Sequence, residues 1–220
     1  MQPEGRSELG LAKEGEAGIA SLFRCSLTPA RSNAVDKTAA EWMKMLYSIE
    51  DGFPLPAEDA RRLLRDIHES ADTFAVNFDD EFPSAEAFVR FLHDLRRRPG
   101  ALFLVARGTS GLLGFLLIEP RRAGKLRHTA DLHMGVRTDA RGRGVGSAML
   151  AAALDRLKAQ TDVEIVYLMV RADNEPALRL YRRYGFEQLA LLPHDTKIGT
   201  RYYDGPLMRL NLDPTGLHPD

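Results

Sequence analysis

An α/β fold of the α+β kind, with a mixed central sheet of about seven strands flanked by helices, is what this sequence predicts. Three textures predict it. Residues 36–98 repeat apolar side chains at helical spacing, and residues 101–119 switch to two dense apolar runs around a glycine-bounded turn. From residue 130 onward, strand-like and helix-like segments alternate. A meander followed by alternation argues a sheet with both antiparallel and parallel pairs.

The elements follow in chain order. Met1–Gly18 has four glycines, several charges and almost no bulky apolar residues, which cannot repay the entropy of ordering, so a disordered arm is expected. Ile19–Ser26 reads as a first strand. Asp36–Glu50 places Ala39, Trp42, Met43, Leu46 and Ile49 at helical spacing; Ala57–Ser70 repeats this with Leu63, Leu64 and Ile67. Ser84–Arg98 does so again with Phe88, Phe91, Leu92 and Leu95, from Ser84 as N-cap to the stop at Pro99-Gly100. Ala101–Arg107 and Leu112–Glu119 form a hairpin through Gly108-Thr109-Ser110-Gly111. Ala130–Val136 is a strand, Gly144–Gln160 an amphipathic helix, and Glu164–Val170 a strand. Pro176–Tyr184 is a short helix stopped by Gly185 in the left-handed region, and Phe186–Leu192 and Tyr202–Leu210 close the domain as strands. Asp213–Asp220 reads as a loose tail. The body of the chain, residues 19–212, is one domain, with no internal repeat and no dividing linker.

Composition excludes several classes. With 30 Lys and Arg against 31 Asp and Glu the formal charge is −1, which offers no electrostatic footprint for nucleic acid. No apolar run approaches the roughly 18 residues of a membrane-spanning helix, and the N-terminus lacks a signal-peptide core, so a cytoplasmic protein without membrane partners is expected. Cys25, the one cysteine, has no disulfide partner in the chain and reads as structural; no Cys/His set has metal spacing.

The strand Ala130–Val136 runs into Arg141-Gly142-Arg143-Gly144-Val145-Gly146 and then into a helix. Glycines let the backbone approach a ligand, and a helix N-terminus offers unpaired N–H groups and the positive end of a dipole; together they can cradle a phosphate. The spacing is G-x-G-x-G, whereas a dinucleotide site wants G-x-G-x-x-G, and a P-loop would want Lys where Gly146 stands. A second segment follows: Asn174, Ala177, Leu180, Tyr181, Gly185 and Phe186 in the order N-x-x-A-x-x-L-Y-x-x-x-G-F.

The pairing of R-x-x-G-x-G with this second segment resembles the GNAT superfamily of N-acetyltransferases, over about residues 19–212. Arg127-His128-x-Ala130-x-Leu132, Tyr202-x-Asp204 and Met208 look like a bacterial subgroup that includes enzymes acting on free amino acids. The resemblance implies the GNAT acyl-CoA N-acyltransferase fold and direct transfer of acetyl from acetyl-CoA to a primary amine of a small molecule or peptide. It also implies that Ala130–Val136 splays from Glu164–Val170 around a β-bulge, so that pantetheine enters like a strand. Met134, Gly135 and Val136 would offer backbone groups to pantetheine and to the acetyl carbonyl. Arg141, Gly142, Arg143, Gly144, Val145 and Gly146 would hold the pyrophosphate, and Asn174 the pantetheine arm. Tyr181 would be the general acid that protonates the departing thiolate.

Each residue also admits a plainer role. Gly135 fits a packing constraint as well as a close approach to ligand, Asn174 fits a helix cap, and Tyr181 fits a core tyrosine. Tyr184, just before the glycine stop, is the weaker acid candidate. For the base that takes the amine's proton, Asp131 and Glu119 rank ahead of His128 and His133, and strand parity sets Asp131 and His133 on one face. Arg121–Arg127 is a basic stretch that fits a solvated loop or an attractor of acidic substrate, while Arg96-Arg97-Arg98 suits a helix C-terminus. A catalytically silent acyl-CoA-binding module of the same fold is the alternative reading, and a dinucleotide-dependent oxidoreductase a more distant one. The acceptor pocket is expected between Asp36–Ser70 and the final strands, with Trp42, Tyr47, Phe53, Phe74, His194, Lys197, Tyr202 and Tyr203 at hand; the amine stays open, as does a homodimer.

Overall fold

Alternate residues of Leu102–Gly108 (β2) and Gly111–Pro120 (β3) serve two different cores. The computed structural model describes residues 46–71 and 73–212. Leu104, Ala106, Leu116 and Ile118 face a helix over Val145–Gln160. Phe103, Val105, Phe115 and Leu117 face helices early in the chain. The dense apolar runs are therefore strands buried on both sides, and the period-2 alternation chooses which core each residue joins.

Around them stand Tyr47–Asp51 (β1), Ala57–Glu69 (α1), Phe78–Glu81 (α2), Ala85–Arg96 (α3), Thr129–Val136 (β4), Val145–Gln160 (α4), Ile165–Met169 (β5), Glu175–Arg183 (α5), Glu187–Ile198 (β6) and Arg201–Asn211 (β7). The seven-stranded sheet runs β1-β2-β3-β4-β5-β7-β6. Every neighbouring pair is antiparallel except β4 and β5, which are parallel and joined through α4. The helices α1, α2 and α3 cover one face; α4 and α5 cover the other. Mixed sheet, seven strands and flanking helices all agree with the sequence.

Two local expectations need correction. The helix read over Asp36–Glu50 is contradicted where it can be checked: Tyr47–Asp51 pairs with β2 as an edge strand, with Glu50 held to Arg107 at 2.8 Å. Tyr47 and Ile49 pack on the core while Leu46 is 61% exposed, so period 2 and the free edge of β2 override the helical spacing. The strand read over Phe186–Leu192 extends to Ile198, pairing with β7 through two register shifts and a left-handed residue at His194 (φ 57°). The one-turn helix α2 has too few residues to show a period. Strand Ile19–Ser26, Cys25, Trp42, the arm over 1–18 and the tail over 213–220 lie outside the described residues.

Candidate active site

The parallel pair β4–β5 is short. It matches Thr129 with Ile165, Ala130 with Val166 and Asp131 with Tyr167, and then stops, although β4 continues through Leu132–Val136. Those five residues keep an uninterrupted register with β3 on their other side. The two strands thus part in a V without the expected bulge, since no register shift occurs between β3 and β4; divergence alone leaves the β5-facing edge of β4 without a strand partner.

The V opens into a cleft of about 810 Å³ that passes through the sheet. From the α1 side it is lined by His68, Phe74, Glu119, Arg121, Asp131 and His133; from the α5 side by Leu132, Met134, Asn174 and Tyr181. The sequence-predicted catalytic residues Tyr181, Asp131 and Glu119 therefore share one cavity.

Glu119 and Asp131 are direct partners in the β3–β4 register, so their carboxylates share a face. They are held differently. Arg121 grips both oxygens of Asp131, at 3.0 and 2.9 Å, and lays its guanidinium 4.7 Å from the Tyr167 ring centre. Arg98 reaches only Oε1 of Glu119, at 2.6 Å. Glu119 keeps an uncommitted oxygen; Asp131 does not.

Tyr181 is 7% exposed and packs on Phe186, and burial pushes its phenol well above the ordinary tyrosine range. It is therefore protonated at any physiological pH. Tyr184 has a different task. Its hydroxyl donates to the Ser147 carbonyl at 2.8 Å and sits 2.7 Å from Ser147 Oγ, which must then donate back, pinning α5 to the first turn of α4.

That first turn of α4 follows Gly142 (φ 73°) and Gly144 (φ 77°), both in the region L side chains avoid. Gly144 is the N-cap and supplies no side-chain hydrogen bond, so the opening amides of α4 stay available. Arg141 turns back, its Nε donating to the Val136 carbonyl at 3.0 Å, while Arg143 is exposed. Gly135 faces the α1 side, where a Cβ would come within 2.5 Å of Ile67, so packing accounts for this glycine while its backbone stays at the V. Asn174 caps α5 by accepting from the Ala177 amide at 3.3 Å, which leaves its amide NH2 uncommitted.

Sequence reasoning missed His68, Tyr167 and Arg171, and read Arg121 only as part of a basic stretch. His68 ends the apolar stripe of α1, donates through Nδ1 to the Leu64 carbonyl at 2.7 Å and stacks on Phe74 with centroids 4.0 Å apart. Burial, reinforced by His133, holds its pKa below the usual value against the opposing pull of the Leu64 carbonyl and Glu81. Arg171, buried at 4% exposure, pairs with Asp173 and lies 3.8 Å over the Tyr203 ring. The Arg171 guanidinium in turn holds the Asp173 carboxyl below the usual range. Only Arg121 left a signal: continuing the parity of β3 past Glu119 puts residue 121 on the same face.

A sheet opened between parallel strands, beside a glycine loop feeding an uncapped helix, is an arrangement suited to acyl-CoA. The cradle and the V fit such a cosubstrate, with open amides for pyrophosphate and a vacant strand edge for pantetheine. The chain belongs to the acetyltransferase (GNAT) family, whose family model matches residues 59–186. It is 34% identical over 128 residues to an L-methionine sulfoximine/L-methionine sulfone acetyltransferase of Pseudomonas paraeruginosa, covering 57% of this chain and 74% of that protein. It is 30% identical over 124 residues to an L-amino acid N-acetyltransferase of Escherichia coli, covering 56% and 75%. In fold it matches a GNAT superfamily phosphinothricin acetyltransferase from Sinorhizobium meliloti in complex with acetyl-CoA, with a TM-score of 0.67 at 21% identity over 80% of this chain and 94% of that one. The protein is an acetyl-CoA-dependent N-acetyltransferase acting on amines. Among the described residues no helix is long and apolar enough to cross a membrane.

Proposed function

We propose that this enzyme acetylates the α-amino group of a small amino-acid-type substrate in the cytoplasm, with Glu119 taking the amine's proton and Tyr181 returning one to the leaving thiolate. The observation that carries the reading is the pair of unlike carboxylates on one face of a cleft that also contains a buried, protonated phenol. The acceptors in the names of the two sequence relatives, L-amino acids and their sulfoximine and sulfone analogues, support the substrate class.

In this reading each residue has one task. Acetyl-CoA, when bound, supplies the thioester. Arg141, Gly142, Arg143, Gly144, Val145 and Gly146 hold its pyrophosphate, mainly through amides at the start of α4. Backbone groups of Met134, Gly135 and Val136 and the Asn174 amide hold the pantetheine arm, and an N–H at the vacant edge of β4 stabilises the oxyanion. Asp131, fixed by two bonds from Arg121, is an anchor for the substrate ammonium. Glu119, with Oε2 uncommitted, accepts the proton that must leave before nitrogen can attack.

Thiol release from acetyl-CoA, screened against free L-amino acids, polyamines, aminoglycosides and short peptides, tests the reading. Release with amino acids is the expected result. Glu119→Gln should lower kcat at least 10-fold, while Asp131→Asn should chiefly raise KM for the amine. Release with polyamines alone would overturn the substrate class, and equal kcat in Glu119→Gln and wild type would remove Glu119 as base.

A further inference from the structure

The two arginines that hold the cleft carboxylates also form the floor of a second cavity, on the far side of the wall. This cavity, about 500 Å³, lies where the C-terminus of α3, the loop after β3 and the residues following α4 converge. Five arginines line it, Arg97, Arg98, Arg121, Arg122 and Arg127, against two aspartates, Asp94 and Asp162. It sits at the N-terminal end of β4, whereas the glycine loop follows the C-terminal end. Eight strand residues separate the two, about 26 Å at the usual rise. It is thus a different place from the pyrophosphate cradle.

The charges here are not all spoken for. Arg122 meets Asp94 at 3.4 Å, and both side chains are well exposed, at 69% and 57%, so that pair is weak. Arg98 is 14% exposed and uses only one nitrogen, NH1, for Glu119 and the Pro120 carbonyl. Arg121 uses Nε and NH2 for Asp131, leaving NH1. Guanidinium groups carry five donors in a fixed fork that suits carboxylate and phosphate oxygens. Both floor arginines therefore keep donors beyond those given to the acceptor cleft. A ring of solvated lysines would give a diffuse field; forked donors set at the floor and rim of a concavity give a site.

We propose that this cavity binds a small multivalent oxyanion, and that its occupancy is felt in the acceptor cleft through Arg121, which lines both cavities, and through Arg98, which holds the cleft residue Glu119. An anion seated there draws the two guanidinium groups toward itself and loosens their hold on Glu119 and Asp131. The binding half stands on the cavity alone; the coupling half rests on the roles proposed above for those two carboxylates. It also gives a use to the basic runs 96–98, which sequence alone assigns to a helix end, and 121–127, which sequence reads as a solvated loop or an attractor of acidic substrate.

The test uses pyrophosphate and citrate as probes, at constant ionic strength set with chloride, with the cradle filled by saturating CoA in the binding measurements and by saturating acetyl-CoA in the kinetic ones. Binding is read by calorimetry and thermal shift, and coupling by KM for the amine. The variant is Arg97→Ala/Arg127→Ala, whose residues lie on the rim and do not line the acceptor cleft. Wild type should bind at least one probe and gain several degrees in Tm; the double variant should lose at least 10-fold in affinity with basal kcat unchanged. Pyrophosphate binding without citrate would mark a phosphate ligand, and both together a general oxyanion site. Binding of equal strength in wild type and variant, or none above the chloride control, would overturn the site. Binding that is lost in the variant but never alters KM for the amine would overturn the coupling alone. If the substrate reading fails and no amino acid is acetylated, the calorimetric result still decides the site.

Discussion

A phenol buried to 7% exposure in the wall of the cleft can do only one kind of proton chemistry. Burial alone raises the Tyr181 pKa far above the ordinary value, so the group never arrives as a phenolate base; it can donate, and the leaving thiolate is what needs a proton. Tyr181→Phe keeps the ring that packs on Phe186 and removes only the hydroxyl. Steady-state kinetics should show kcat reduced about 100-fold, the lower end of general-acid effects, with KM for acetyl-CoA within about twofold of wild type. An unchanged kcat would return Tyr181 to the core. Asn174 shows how one side chain can hold two of the readings sequence left open. Its oxygen caps α5 through the Ala177 amide, and its NH2 remains for the ligand proposed above.

At the scale of elements, β4 shows how packing alone can require a glycine within a strand. Gly135 has no left-handed φ, so backbone freedom is not the cause; a Cβ there would stand 2.5 Å from Ile67 Cγ2 and 3.0 Å from both Phe115 and Phe74. Gly135→Ala should therefore cost about 1–3 kcal/mol through overpacking, seen as a lower urea midpoint with an unchanged slope. A midpoint equal to wild type would mean that α1 shifts aside without strain. Elements whose cues are local were legible in the sequence: the β2–β3 hairpin, the strand–glycine loop–α4 unit, and α5 with its stop at Gly185 (φ 86°). What escaped depends on partners distant in the chain. Tyr47–Asp51 becomes a strand because β2 offers an edge, and the clasp of Tyr184 on Ser147 joins residues 37 apart. His68 enters the cleft only once α1 is laid on the sheet, which no spacing rule encodes; for Arg121 the parity of β3 gives the face but not the partner, Asp131.

For the molecule as a whole, the apolar layer that holds α1 on the sheet contains one group that resists protonation. His68 is enclosed by Phe74, Phe78 and Phe115, with Nδ1 committed to the Leu64 carbonyl. Burial is the largest influence on its pKa and lowers it; His133 acts in the same direction, and Leu64 and Glu81 oppose. An unfolded histidine titrates near ~6.5, so between that value and the depressed folded value the unfolded chain binds the extra proton. Stability associated with His68 is thus fully present above the unfolded pKa and is lost as pH falls through the folded one. His68→Phe keeps an aromatic ring in the stack and removes the titration, at the expense of one backbone hydrogen bond of about 1 kcal/mol. Urea unfolding at a series of pH values should give a wild-type free energy that declines more steeply from pH 7 to pH 5 than that of His68→Phe, the two curves converging toward acid. Parallel curves, offset by a constant amount, would show that the proton resisted by the fold is held elsewhere. Convergence would mean that the cleft wall and the packing of α1 depend on the same neutral imidazole, so that acid would loosen the acceptor side of the enzyme before the glycine cradle.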